Sequence, residues 1–408
     1  MWADETWAGV LASVIDQAHL VTGEQLSGMV DRVVQSVGLR ADVLVVNLAQ
    51  RALTGLGVDS CGRIEVEGTL AGRAYQVGEV VASIDDTGRR LLWIPILDGT
   101  ERVGVLRIVL DDHLVDDALL RRRCWSLAGL VGHVVMAKLS YSDRLRQLRR
   151  DGPLAEASEL LWQLVPPRTF ATDEVVVTAL LEPYDRVAGD AYDYAADGHC
   201  VHLAVYDGTG HDLAACLATT MALTAVRNGR RAGQSDLAAL AAQADDLLAG
   251  RSGPRTFVTA VLARLDSRTG ALDYLVAGHP PPLLVRDGHM IKELGAPVQR
   301  PLGVRSSPAR LTSGREQLEP GDRLLFYSDG IVEARDARGE FFGVRRLVDF
   351  TERAESARVS APETLRRLTA AVLAHQNGEL QDDATLLMVD WSASAHERLL
   401  PQRFEPTA

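Results

Sequence analysis

Four aspartates constrain this chain more than any other feature of its sequence. Asp190, Asp207, Asp329 and Asp382 each stand where an apolar, strand-like pattern meets a turn, and the four are spread over much of the chain. Asp207 follows the alternation of residues 199–205 and is joined to Gly208 on a tight turn, with an apolar helical pattern starting soon after. Asp190 follows Gly189 at a bend, Asp329-Gly330 closes a buried-type strand over 323–327, and Asp382 and Asp383 immediately precede a last apolar strand. Carboxylates, with the bare Gly208 carbonyl, are the hard oxygen donors that Mg²⁺ or Mn²⁺ prefers. Any one of them is equally a turn former, because Asp-Gly is also a common hairpin signal. Taken together they need a folded sandwich, since only that would bring such distant strand ends to one place.

Composition narrows the classes. The chain has 408 residues and a net charge of −12, enough length for two or three domains and the wrong sign for a general nucleic-acid binder. Cys61, Cys124, Cys200 and Cys216 show no C-x-x-C spacing, so they read as buried thiols in a reducing cytoplasm and not as a zinc site or disulfide scaffold. The start, MWADETW, has no basic region before an apolar run, and the apolar stretch 127–139 is too short to span a bilayer. The expected location is the cytoplasm, with no membrane span.

The first third reads as α+β. Trp7, Leu11, Val14, Ile15 and Ala18 recur at helical spacing, and Thr22 with Gln25 forms a capping box ahead of Leu26, Met29, Val30, Val33 and Val34. Strands over 42–48, 91–96 and 103–110 follow, the last two flanking an Asp98-Gly99 turn as a hairpin. With GTLAGRAYQVGE at 68–79 and WIPILDGTERVGVLRI at 93–108, residues 1–138 resemble a GAF domain, a small-molecule-binding sensor. The resemblance implies either a sensor for a small-molecule or protein signal or a dimerising scaffold without a ligand. Residues 139–167 read as a helical connector that ends at Pro166-Pro167; a terminal helix packed on its own domain fits the same pattern.

The second domain is expected over 168–392, with a tail at 393–408. Alternation marks strands at 175–181, 199–205 and 256–266, and residues 271–285, ALDYLVAGHPPPLLV, continue as long paired strands. Helices are expected at 213–227, 237–248 and 362–375. The blocks GD-x-x-D at Asp190, DGTGHD at Asp207, AGHPPP at Gly278, PLG at Pro301, PGDRLLFYSDG ending at Gly330 and DDATLL at Asp382 resemble, in order and spacing, the metal-dependent protein phosphatase (PPM) family, SpoIIE-like subgroup. The resemblance implies an α/β/β/α sandwich, two Mn²⁺ or Mg²⁺ ions and hydrolysis of phosphoserine or phosphothreonine by a metal-activated water. Carried over residue by residue, Asp207 bridges both ions, the Gly208 carbonyl completes one, Asp329 and Asp382 hold one, and Asp190 approaches the other. The same carry-over makes Arg186 a phosphate-binding residue and gives Asp193, His211 and Asp383 supporting roles around the ligands. His279, before three prolines, reads as structural. Ala188 departs from the Gly-Gly-Asp usual in the subgroup, which bears on the geometry of the second ion. The implied substrate is a phosphorylated anti-sigma-factor antagonist of the STAS type, handled by a homodimer gated by the N-terminal domain. The alternative is a catalytically silent signalling adaptor that binds a partner through the same fold.

Overall fold

The computed structural model describes residues 4–57, 61–152, 155–182, 189–210, 212–250, 256–295, 297, 299–304, 311–378 and 380–399. Two compact units result, residues 1–153 with 399–408 and residues 154–398.

Unit one runs α1 Asp4–Ala18, α2 Leu26–Gln35, β1 Leu39–Val46, β2 Ala52–Gly55, β3 Arg63–Glu65, α3 Leu70–Val77, β4 Val81–Ile84, β5 Arg90–Asp98, β6 Glu101–Leu110, α4 Ala118–Leu139 and α5 Asp143–Leu148. Its strands form one antiparallel sheet in the order β3-β2-β1-β6-β5-β4. Alternation divides the sheet's side chains between two cores. Val43, Val45, Ile94, Leu106 and Ile108 bury against α1, α2 and α4, whereas Leu44, Val46, Leu91, Trp93 and Val105 bury against α3. The β5–β6 hairpin turns at Asp98-Gly99 as its sequence predicts, with Gly99 at φ +58°. Gln25 Oε1 accepts from the Thr22 N–H at 3.0 Å, one half of the expected capping box.

The stretch 139–167 differs from a single connector. Leu145 of α5 is buried in the core of unit one with Leu139 and Leu148 packed against it, and Asp151 accepts from the Asn47 amide and the Arg63 guanidinium. The helix α6 Glu156–Leu164 instead buries Ala157 and Leu161 in unit two. Each short helix therefore follows the apolar core within its reach, and the division falls at 153/154, ahead of the expected 167/168.

Unit two continues with β7 Thr169–Ala171, β8 Val175–Glu182, β9 Asp190–Asp197, β10 Cys200–Gly208, α7 Leu213–Arg231, α8 Leu237–Ala249, β11 Val258–Asp266, β12 Ala271–Ala277, β13 Leu283–Arg286, β14 His289–Glu293, β15 Gly314–Gln317, β16 Arg323–Tyr327, α9 Asp329–Val332, α10 Gly343–Ser356, α11 Ala361–His375 and β17 Ala384–Trp391. Two antiparallel sheets form, β15-β12-β11-β10-β9 and β14-β13-β16-β17-β8-β7. Their facing sides share a core of Val177, Ala179, Phe326 and Leu387 from one sheet with Tyr192, Leu203, Val205 and Val261 from the other. Outside the first sheet, the small residues Ala218, Ala222, Ala241 and Ala244 let α7 and α8 pack close to Ala204, Tyr206 and Leu262. Helix α11 covers β8 of the second sheet, giving the four-layer α/β/β/α sandwich expected from sequence.

Three local expectations change. Residues 271–285 do not form strands of one sheet: β12 pairs with β11, then the chain breaks at Gly278 (φ +67°) and β13 joins the opposite sheet. Pro280, Pro281 and Pro282 lack the N–H a ladder needs, so the break falls where the backbone cannot pair. Among the four free cysteines, Cys124 and Cys216 are buried, but Cys61 is exposed and Cys200 only half-buried. The expected tail at 393–408 begins inside unit two, because Ala395 and His396 are buried and Arg398 pairs with Glu355.

Candidate metal centre

Strand register assembles the site. Asp190 of β9 stands directly opposite Asp207 of β10, which in turn stands opposite Thr259 of β11, so the three form a row across the sheet. Period-2 alternation puts the row on the same face as Tyr192, Val205 and Val261, the face that looks into the space between the sheets. The Gly208 N–H donates to the Gly189 carbonyl at 3.1 Å, which leaves Asp190 and Asp207 as the neighbouring pair without backbone bonds, where side chains stand closest. Like charges directly opposite in a sheet repel.

The second sheet contributes from the other side. Strand β16 ends and β17 begins at the same end, joined where the Ser328 N–H donates to the Thr385 carbonyl at 2.9 Å. This brings Asp329, just after β16, near Asp382 and Asp383, just before β17. Gly330 has no room for a side chain, because a Cβ there would lie 1.9 Å from the Asp383 carbonyl oxygen. Asp383 is buried and accepts from the Gly189 N–H, tying the second sheet to the bend before Asp190. A Cβ on Gly189 would lie 2.8 Å from the Gly208 carbonyl oxygen, so that carbonyl points into the same confined space.

Electrostatics set this end apart. Burial, followed by the charges of Asp207 and Asp383, raises the Asp190 carboxyl well above the usual carboxylate range, against the lowering effect of the Ser328 and Thr385 hydroxyls. Asp207 is pushed up to about 7 by burial and then by Asp329 and Asp382. Burial and then Asp382 and Glu333 raise Asp329. Among the described residues none of Asp190, Asp207, Asp329 or Asp382 is paired with an arginine or lysine. Asp190 Oδ2 is buried and has no hydrogen-bond partner among those residues. An orphaned carboxylate oxygen amid mutually repelling carboxylates suits a hard divalent cation, which supplies the missing positive charge. Among the described residues no three His, Cys, Asp or Glu side chains stand close enough together to hold a metal ion as they are.

The remaining expected residues sort by position. Asp193 is three residues from Asp190, hence on the opposite face of β9, where Arg227 and Arg230 hold it at 2.6 and 3.1 Å. It belongs to the interface with α7 and not to the carboxylate group. Arg186, Ala188 and His211 lie outside the described residues. Sequence reading missed Thr259, whose hydroxyl is 3.4 Å from Asp207 Oδ2 and 2.7 Å from His279 Nδ1. The signal available for it was a polar residue at an inward position of the alternating strand that continues with Val261, Ala263 and Leu265.

Residues 197–392 match the family model described as Stage II sporulation protein E (SpoIIE). Protein IcfG of Synechocystis sp. is 30% identical over 137 residues, which cover 33% of this chain and 20% of that protein. Phosphoserine phosphatase RsbP of Bacillus subtilis is 26% identical over 168 residues, covering 40% of this chain and 41% of RsbP. The chain thus spans less than half the length of these curated relatives. Among solved structures, the SiaA-PP2C domain of Pseudomonas aeruginosa overlays 53% of this chain and 86% of its own, at 26% identity and a TM-score of 0.47. The RsbU and RsbW domains of a Mycobacterium tuberculosis protein overlay 56% of this chain and 62% of theirs, at 28% identity and a TM-score of 0.45. Among the described residues no helix is long and apolar enough to cross a membrane.

Proposed function

We propose that unit two is a metal-dependent protein serine/threonine phosphatase and that the carboxylate end of its sandwich is the active site. The observation that carries this reading is the gathering of Asp190, Asp207, Asp329 and Asp382 from two sheets with no basic side chain to neutralise them among the described residues. A binding adaptor has no use for such repulsion. The SpoIIE match over 197–392 supports the same reading.

Two Mn²⁺ or Mg²⁺ ions, when bound, supply the positive charge that turns water into a nucleophile at neutral pH and neutralises phosphate oxygens. The chain's residues account for the holding and the orientation. Asp207 stands between Asp190 and Thr259 in the row and feels the charges of Asp329 and Asp382, so it would be the carboxylate shared by the ions. The Gly208 carbonyl would be the neutral donor beside it, and Asp190 would supply a further carboxylate. Asp383 holds the Gly189 N–H and so sets the bend from which Asp190 projects. No side-chain nucleophile is required. The substrate we propose is a phosphoserine protein, a STAS-type anti-sigma-factor antagonist, with unit one as a GAF-like sensor that gates turnover in a homodimer.

The test is release of inorganic phosphate from a phosphoserine-bearing STAS protein, with added Mn²⁺ or Mg²⁺ and with EDTA. Metal-dependent release that EDTA abolishes is the expected result; no release with either ion, from protein shown to bind Mn²⁺, would reject the phosphatase reading. The gating is checked by solution mass and by turnover per chain against protein concentration. A monomer with constant turnover would leave unit one without a gating role.

A further inference from the structure

Beside Asp207, the sheet carries a pair of residues that the carboxylate site does not itself need as ligands. Thr259 stands opposite Asp207 in the β10–β11 ladder, and Ala260 makes a parallel bridge to Gly278, which brings His279 next to Thr259. The result is a chain of contacts from His279 Nδ1 to Thr259 Oγ1, 2.7 Å, and from Thr259 Oγ1 to Asp207 Oδ2, 3.4 Å. His279 is 5% exposed, and its ring also lies beside the Tyr327 backbone. Burial also holds the imidazole neutral, with its pKa lowered to about 4.

A hydroxyl has a single proton. With Asp207 ionised, that proton goes to the carboxylate in the tautomer whose Nδ1–H donates to the Thr259 oxygen. Two rigid elements frame the arrangement: Thr259 is β-branched with restricted χ1, and His279 is followed by three prolines. A ligand carboxylate whose non-coordinating side is held by a fixed donor keeps one orientation, which is what outer partners of metal ligands contribute.

We infer that Thr259, oriented by His279, is a positioning residue that fixes the Asp207 carboxylate for divalent-cation binding. The inference rests on the metal-dependent reading above and adds a residue pair to it. Neither residue touches the substrate in this role, and the ion set remains that of the aspartates.

The experiment is Mn²⁺ titration of the full-length protein by calorimetry, with thermal melting of each ion-free variant to check the fold. Thr259→Val keeps shape and branching but removes the hydroxyl, and is expected to weaken Mn²⁺ binding about 10- to 100-fold. Thr259→Ser restores the donor and is expected to return the affinity to within about threefold of the natural protein, a rescue that a packing role alone would not give. His279→Asn, which keeps an N–H close to the Nδ1 position, should fall between the two. Equal Mn²⁺ affinity of natural protein and folded Thr259→Val would overturn the inference alone. Absence of Mn²⁺ binding by the natural protein would overturn the metal reading and this inference with it.

Discussion

The two ends of the sandwich in unit two are built from the same strands and treat charge in opposite ways. At the end where β16 starts and β17 finishes, every buried acid has an arginine. Arg323 bonds Asp390 at 2.5 Å and Glu355 at 2.8 Å, and Arg398 takes Glu355 as well at 2.8 Å. Arg286 holds the fully buried Asp322 at 2.7 Å and reaches Glu319 at 2.5 Å. At the end where β16 finishes and β17 starts, Asp329, Asp382, Asp207 and Asp190 meet with no such partner among the described residues. One strand pair therefore shows both solutions to buried negative charge, and the unsolved end is the one that needs something from outside the chain. Stability is built at the arginine end, whereas at the other end burial and mutual repulsion disfavour the carboxylates, a cost that the proposed cation site would offset.

The largest effect is expected from disarming the acidic end. Asp207→Asn and Asp329→Asn should each lower Mn²⁺-dependent hydrolysis by about 10³-fold or more, since an amide is a poor substitute for a bridging or terminal carboxylate and several kcal/mol of transition-state charge stabilisation is lost. The ion-free Asp207→Asn protein should melt no lower than the natural one, because it loses a carboxylate that burial and its neighbours disfavour. Full activity in either folded variant would mean that the acidic end is not the metal site.

Arg323→Met attacks the opposite end. It strands Asp390, a buried acid, while Glu355 keeps Arg398, and should cost about 3–5 kcal/mol in chemical denaturation. Mn²⁺ affinity of the folded protein should not move. A loss below about 1 kcal/mol would show that the arginine end does not rely on its pairs as described.

The pH dependence sharpens the contrast. The folded-state pKa of Asp207 is raised, so the ion-free fold binds more protons than the unfolded chain between about 4 and about 7, and its contribution to stability falls as pH rises through that window. His202 and His279, both lowered to about 4 first of all by burial, act in the opposite sense below their ordinary range, their contribution rising with pH. The readout is therefore a difference. Melting temperature of natural protein minus that of Asp207→Asn should fall by a few degrees from pH 5 to pH 7.5 without metal, and Mn²⁺ should reverse the trend by keeping the carboxylate ionised. A difference flat with pH would remove Asp207 from the strained group.

Much of this contrast could be read from sequence. The acidic end was legible because Asp-Gly follows and Asp-Asp precedes strongly apolar strands, so the chemistry and the strand ends coincide at Asp207, Asp329 and Asp382. What could not be read was register. Nothing local states that Asp190, Asp207 and Thr259 share one row, because that depends on how three strands with turns and two intervening helices are offset. The shift of the chain from one sheet to the other at Gly278 was marked by three prolines, yet the apolar runs on either side hid it. Asp193 is legible in part: its odd spacing from Asp190 puts it on the other face of the strand, but its pairing with Arg227 and Arg230 depends on how α7 packs.

The smallest effect concerns that same pair of aspartates and tests the comparison within a single strand. Asp190 and Asp193 are both buried, 2% and 1% exposed, but only Asp193 is neutralised, by Arg227 and Arg230 from α7. Arg230→Met removes one of two partners. Asp193 keeps the shorter contact to Arg227, and the methionine stem still packs on the sheet, so the loss should be about 1–2 kcal/mol, the scale of one charged hydrogen bond. Because Asp193 projects to the helix side and Asp190 between the sheets, Mn²⁺ affinity should remain within about twofold. A substantial fall in Mn²⁺ affinity would show that α7 and the acidic basin are coupled through β9, and that the two faces of this strand do not act independently. An unchanged affinity with reduced stability would establish that only the unpaired aspartate belongs to the cation site.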